Sequence, residues 1–252
     1  MTLTKKNNIL AILMMLGLPF HAQAETKPAA PSWPAEKPGA YIAPSAGGVA
    51  PGATPAFAIS VGDIENGKRI PDPYVYCVPQ GGRHGEGQNI NPAVSWANAP
   101  AKTASFALIM VDEDVPTNFD TANKDGQGIP ATLPRRAFYH WLVVDIPPSA
   151  TGITKGQDSA GRDAKKAGKQ AYGITGVNDY PAQPPRGGYD GSCPPWNDEL
   201  LHHYHFRIYA LDVPTLGLPE GFHGADVMKA MEGHILASAE VTGTYATNPA
   251  VK

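Results

Sequence analysis

Three clusters of side chains able to do chemistry lie close to apolar runs in this sequence. The first is Asp112-Glu113-Asp114-Val115-Pro116, directly after SFALIMV (105–111). In extended chain alternate side chains share a face, so Asp112 and Asp114 point one way and Glu113 the other. Carboxylates beside an apolar strand end are costly unless paired, hydrogen-bonded or protonated. Pro116 then fixes the turn and holds Val115 extended. The second cluster is His140-Trp141 inside FYHWLVVDI (138–146). The third is Tyr189-Asp190-Gly191-Ser192-Cys193-Pro194-Pro195, followed by His202-His203-Tyr204-His205. Gly191 and Ser192 can offer successive backbone N–H groups in a concave turn, a recurrent way to hold an anion. Taken singly, each cluster also has a plainer reading: a solvated acidic turn, a satisfied core histidine, an ordinary loop.

These residue types admit several chemistries. Asp, His, Ser and Tyr could serve a hydrolase, but the chain has no G-x-S-x-G elbow and no chain-ordered triad. Catalysis therefore ranks below binding, and no residue is assigned a catalytic role. His203 and His205 would share a strand face and could chelate zinc with His202 nearby, yet no third ligand follows from the sequence. Asp120–Gly126 has the composition of a calcium loop without its spacing or terminal Glu, and a turn is expected there. No metal or cofactor is expected.

The elements that must position these groups are mostly strands. Apolar runs at 105–111, 138–146 and 204–211 suit buried central strands. Shorter strands are expected at 57–61, 74–78 and 241–245. One helix is expected from Ala225 to Ala237, where Val227, Met231 and Ile235 recur every four residues. Long connections at 117–137 and 149–187 belong to the class of loops that carry function.

Composition agrees with that picture. The 252 residues hold 27 Gly and 26 Pro, against about 12% for the pair in an average chain, which favours turns and short strands over helix bundles. Length suits one domain, placed at 57–248. With 20 Lys+Arg against 23 Asp+Glu, no electrostatic footprint for nucleic acid is present. Lys5 and Lys6, the 12-residue apolar stretch Ile9–Phe20 and Ala22-Gln23-Ala24 have the layout of a cleaved secretion signal over 1–24. The stretch is too short to span a bilayer. A Pro/Ala/Gly-rich lead-in at 25–56 follows, and a periplasmic or secreted protein is expected. In such a compartment Cys77 and Cys193 could pair, closing a loop worth ~4–5 kcal/mol in the chain-entropy view. Two free thiols are the alternative.

In their order the clusters are more specific than singly. A strand followed by D-x-D-x-P, a strand carrying His-Trp, then Y-x-G-x-x-P-P and H-x-Y-x-F resembles the phosphatidylethanolamine-binding protein family, which includes Raf kinase inhibitor proteins and a bacterial branch. Asn91-Pro92-Ala93-Val94-Ser95-Trp96 and the terminal GHILASAEVTGTY add to the resemblance, which covers about residues 57–246. It implies a mainly β sandwich with a large central sheet, a smaller sheet, a C-terminal helix and long loops. It also implies a small pocket for a phosphate-like or phosphorylethanolamine group. By position, Asp112, Asp114 and Pro116 match the family's D-P-D-A-P motif and His140 its pocket histidine. Tyr189, Gly191, Ser192, Pro194 and Pro195 match the anion loop, and His202 and Tyr204 match H-R-Y. Two departures stand out: Glu113 replaces a Pro and adds an acid at the rim, and His203 replaces an Arg. A second implied role is inhibition of a kinase or protease target through the pocket rim. Binding through a protonated His140 or His202 is expected to weaken as pH rises.

Overall fold

The computed structural model describes residues 55–159, 167–182 and 185–251. The expected leader and the lead-in up to residue 54 lie outside them. In chain order the strands are β1 (Ala58–Val61), β2 (Lys68–Arg69), β3 (Cys77–Gln80), β4 (Arg83–Glu86), β5 (Val94–Ala97) and β6 (Ser105–Pro116). They continue with β7 (Arg135–Ile146), β8 (Gly152–Ile153), β9 (Gly168–Gln170), β10 (Gly173–Thr175), β11 (His202–Leu211) and β12 (Ile235–Tyr245). The helix α1 (Gly224–Met231) sits between β11 and β12.

A seven-stranded sheet in the order β2-β12-β11-β6-β7-β10-β9 forms the body, antiparallel except where β2 joins β12. A three-stranded sheet, β1-β5-β8, packs on one face, and β3-β4 is a separate hairpin. The mainly β sandwich expected from the sequence is therefore present. Alternation along the central strands explains it. Phe106, Leu108 and Met110 of β6 and Phe206, Ile208 and Ala210 of β11 enter the core between the sheets with Val61, Val94 and Trp96. The other phase, Ala107, Ile109 and Val111, faces a second core closed by Val227 and Met231 of α1 with Phe222. Both faces of the centre are covered, which is why these runs read as continuously apolar.

Two expectations change at their edges. The helix stops at Met231, because Gly233 adopts φ 80° and ends it. Ile235 and Leu236 then belong to β12, pairing with β11 rather than extending the helical stripe. The strand expected at 74–78 begins only at Cys77, since Asp72–Tyr74 forms a 3-10 turn seeded by Pro71 and Pro73. The 149–187 connection also carries β8, β9 and β10.

Candidate functional site

The chemistry gathers where the end of β6 meets the beginnings of its antiparallel neighbours β7 and β11. Tyr204 of β11 lies directly opposite Asp112, and Asp112 lies opposite Phe138 of β7. His140 reaches the same place by a bulge. Met110 pairs with Trp141 and Val111 with Tyr139, so His140 is the extra residue on β7. A bulge re-aims a side chain, and His140 joins Trp141 on the inner face instead of opposing it. The result is a cavity of about 110 Å³ lined by Asp112, His140, Tyr180, Pro194, Pro195 and Tyr204, with Phe119 at its mouth.

His140 is almost fully buried. Its Nδ1–H donates to the Asp190 backbone carbonyl at 2.8 Å, which fixes the tautomer and leaves Nε2 as an acceptor. Nε2 has no partner. Burial pushes the imidazole pKa below 6.5, more strongly than the Asp112 charge raises it, so the ring is neutral at pH 7. Phe138, Tyr180 and Tyr204 surround the ring with centroids 4.9, 5.5 and 5.2 Å away. Of the two histidines expected to carry a proton, His140 does not: burial outweighs the combined pull of Asp112, Asp190 and Asp179.

His202 is equally buried but differently placed. Its Nδ1 lies 2.7 Å from Asp112 Oδ2 and its Nε2 3.2 Å from Asp198 Oδ2. Burial disfavours the charge, but the two carboxylates together outweigh it and raise the pKa to about 9. Arg135 grips Asp198 from the other side through two bonds of 2.6 and 3.0 Å. Desolvation of Asp198 is in turn outweighed by His202 and Arg135, which hold it below its usual value. Asp112, His202, Asp198 and Arg135 form a neutral quartet, so the cation of His202 is already matched inside the protein.

The remaining sequence candidates divide between the cavity and its supports. Pro194, Pro195, His202 and Tyr204 line the cavity with Asp112 and His140. Asp114 does not: between Asp112 and Val115 the ladder slips by one residue, and Asp112 Oδ1 accepts the Asp114 N–H at 2.8 Å. Asp114 is thereby turned to bind His203, through its backbone N–H and Nδ1, both at 2.8 Å. Pro116 ends β6 opposite Arg135. Glu113, expected at the rim, pairs with Arg207 at 2.8 Å and is not among the lining residues. Tyr189 is a core residue, its hydroxyl donating to the Tyr74 carbonyl at 2.6 Å and its ring set edge-on to Trp141.

Gly191 serves packing and anchoring. Its N–H donates to Asn89 at 2.8 Å and its carbonyl accepts from the Tyr180 hydroxyl at 2.5 Å. A Cβ there would sit 2.0 Å from the Tyr74 carbonyl oxygen, so only glycine fits. Its N–H is thus committed to Asn89. Ser192 holds β3 through its carbonyl, which accepts from Tyr76 and Cys77 N–H. Among the described residues its buried hydroxyl has no hydrogen-bond partner, nor has that of Tyr204. The Tyr204 hydroxyl feels both Asp112 and Ser192 electrostatically without a hydrogen bond to either in good geometry, and its pKa is held well above 10 mainly by burial.

Cys77 and Cys193 form a disulfide, 116 residues apart in sequence, and Cys193 lines the cavity. The histidine triplet breaks up as its strand alternation requires: His202 goes to Asp112 and Asp198, His203 to Asp114, His205 to Glu240. In the Asp120–Gly126 region the Asn197 amide donates to the carbonyls of Thr121 and Gln127, both at 2.7 Å. Phe119, Asn123, Phe138 and Tyr180 also line the cavity and were not singled out from the sequence. Only Phe138, two residues before His140 on the same run, carried a local signal.

The profile of the family described as phosphatidylethanolamine-binding protein matches residues 60–246. The chain belongs to this family. Among curated relatives, a UPF0098 protein of Aquifex aeolicus is 33% identical over 182 residues, covering 72% of this chain and 84% of the relative. YbcL of Escherichia coli K12 is 30% identical over 190 residues, covering 75% and 87%. The crystal structure of E. coli YbcL, described as a member of the mammalian PEBP family, superposes with a TM-score of 0.57 at 25% identity. That match covers 75% of this chain and 98% of YbcL. The Chlamydia trachomatis homologue CT736 gives 0.53 at 28% identity, covering 75% and 97%. Family membership supports a ligand-binding protein.

Proposed function

We propose that this protein is exported and binds a small phosphate-like head group in its protonated, monoanionic form. One observation carries the reading: His140 Nε2 and Tyr204 Oη are buried polar atoms with no hydrogen-bond partner among the described residues, and both residues line one small cavity. Buried polar atoms normally find partners, and a ligand or ordered water satisfies such a set. The cavity holds a head group of a few heavy atoms, and anything larger must extend past Phe119 into solvent. Because His140 is neutral and the His202 charge is matched, the cavity wall itself offers no unmatched cation to a dianion, and Arg136 stays at the mouth, stacked on Phe119 and Phe138. A P–O–H group can donate to His140 Nε2, while the Tyr204 hydroxyl donates to one of its other oxygens. An attached ammonium could meet a carboxylate near the mouth. Export is supported by the Lys5/Lys6 leader pattern and by a disulfide, which oxidising compartments favour.

The test is calorimetric titration with phosphorylethanolamine and with a simple phosphomonoester between pH 5 and 8. A phosphomonoester loses its second proton near pH ~6, so affinity should fall as pH rises through that value. His140→Ala should weaken binding on the order of tenfold to a hundredfold. Affinity unchanged across this range, or unchanged in His140→Ala, would remove the proposal. Release of inorganic phosphate during titration would mark a hydrolase instead. A second reading, a protein target gripped by the rim, rests on Phe119, which is 46% exposed at the cavity mouth with Arg136 stacked over it. A partner whose capture is lost in Phe119→Ser but kept in His140→Ala would favour that reading.

A further inference from the structure

Beside the cavity, a second group of ligand atoms has no part in the head-group reading. Cys77 opens β3, His84 lies on β4 of the same hairpin, and Cys193 comes from the loop before Pro194. One donor atom from each falls within 4.8 Å of the others. His84 Nε2–H donates to the Pro194 carbonyl at 2.9 Å and lies 3.1 Å from Thr247 Oγ1. That bond fixes the proton on Nε2 and leaves Nδ1 as a lone pair 3.9 Å from Cys193 Sγ. Metal-binding histidines are commonly oriented in this way, with the outer ring N–H on a carbonyl.

We propose that the reduced chain is a zinc-binding protein, with Cys77, Cys193 and His84 Nδ1 as its three ligands. Tetrahedral zinc with bonds of about 2.3 Å to sulfur and 2.0–2.1 Å to nitrogen sets sulfur and nitrogen roughly 3.5 Å apart, and two sulfurs roughly 3.8 Å apart. The His84–Cys193 separation is already close to that value. The two sulfurs must part by rotation of their side chains, and Cys77 Sγ, which lies within 4.8 Å of the His84 donor atom, must settle at ligand spacing from it. The backbone that presents them is held independently of the S–S bond, because the Ser192 carbonyl accepts from both Tyr76 and Cys77 N–H, and Cys77–Gln80 pairs with Arg83–Glu86. Opening the disulfide takes two electrons and two protons, supplied by a dithiol reductant that leaves as its own disulfide. Zinc then displaces both thiol protons, and His84 releases none. The fourth position is open for water or for a group entering the cavity that Cys193 lines. This site is independent of whether the cavity takes a phosphate-like group.

The test uses the purified chain in two states, oxidised and phosphine-reduced, each titrated with zinc against a chromophoric chelator under argon. One zinc per reduced chain and none per oxidised chain is expected. In the reduced state His84→Gln should weaken binding at least tenfold with two thiols still titratable. Cobalt in place of zinc should give an intense thiolate-to-metal absorption band only after reduction. Equal binding by the two states, no binding by either, or full affinity in reduced His84→Gln would overturn the proposal. Should the reduced chain lose its circular-dichroism signature, zinc is expected to restore it. Failure to do so would count equally against the site.

Discussion

Two histidines sit within the same small cavity wall, both almost wholly out of water, and they are driven to opposite protonation states. His140 is ringed by Phe138, Tyr180 and Tyr204 and gives its single N–H to a backbone carbonyl. His202 is clamped at both nitrogens by carboxylates. Burial lowers both, but two carboxylates hydrogen-bonded to the ring reverse the sign for His202, whereas the more distant pulls of Asp112, Asp190 and Asp179 on His140 do not. The lesson concerns division of labour. A charged histidine with every donor satisfied braces three chain segments, while the neutral one keeps an acceptor free for a ligand.

The strongest way to break this contrast is to remove the brace. His202→Ala leaves Asp112 with its carboxylate buried and its ionic partner gone. Removing one member of a buried pair costs about 3–5 kcal/mol, to be read as a lower urea midpoint at pH 7. A loss below 1 kcal/mol would mean that water enters and screens the carboxylates. Next in size is the alkaline limb of stability. The folded His202 pKa of about 9 lies above the unfolded 6.5. Its contribution is therefore full below 6.5 and lost as pH climbs through 9, on the order of 3 kcal/mol in all. His140 acts in the opposite direction, because its folded pKa is depressed and its contribution is lost as pH falls below 6.5. Together they set a maximum near pH ~6.5, and His202→Gln should flatten the alkaline side alone.

This contrast also shows how far the sequence reaches. The buried strands, the mainly β class and the family could be read from apolar runs and ordered motifs, because alternation and turn residues act locally. Asp112, His140, His202 and Tyr204 could be named through the family resemblance of the ordered motifs, since singly each had a plainer reading. Their protonation could not. The Asp198 that joins Asp112 in charging His202 lies four residues away in a loop, and Arg135, which completes the quartet, begins a different strand. Bulges were equally invisible: one slipped residue brings His140 inward and another takes Asp114 out, and both depend on partner-strand register rather than local pattern. Tyr180 entered the cavity from a long connection with no periodicity to mark it. The terminal helix misled because Ile235 continues a helical repeat across Gly233, where φ 80° has already ended the helix.

The smallest effect on stability, and the sharpest on the contrast, belongs to His140→Gln. A Gln amide can still donate to the Asp190 carbonyl while its own carbonyl remains within the cavity, so the ring's one internal bond survives the change. No ionic partner is stranded, because His140 carries no charge to lose. Thermal unfolding should therefore shift by less than about 1.5 kcal/mol, well short of the His202→Ala loss. The acid limb of the stability curve should flatten at the same time, since the titrating imidazole is gone. If His140→Gln proved as damaging as His202→Ala, the ring would be a structural brace after all, and its open nitrogen would no longer mark a place for a ligand.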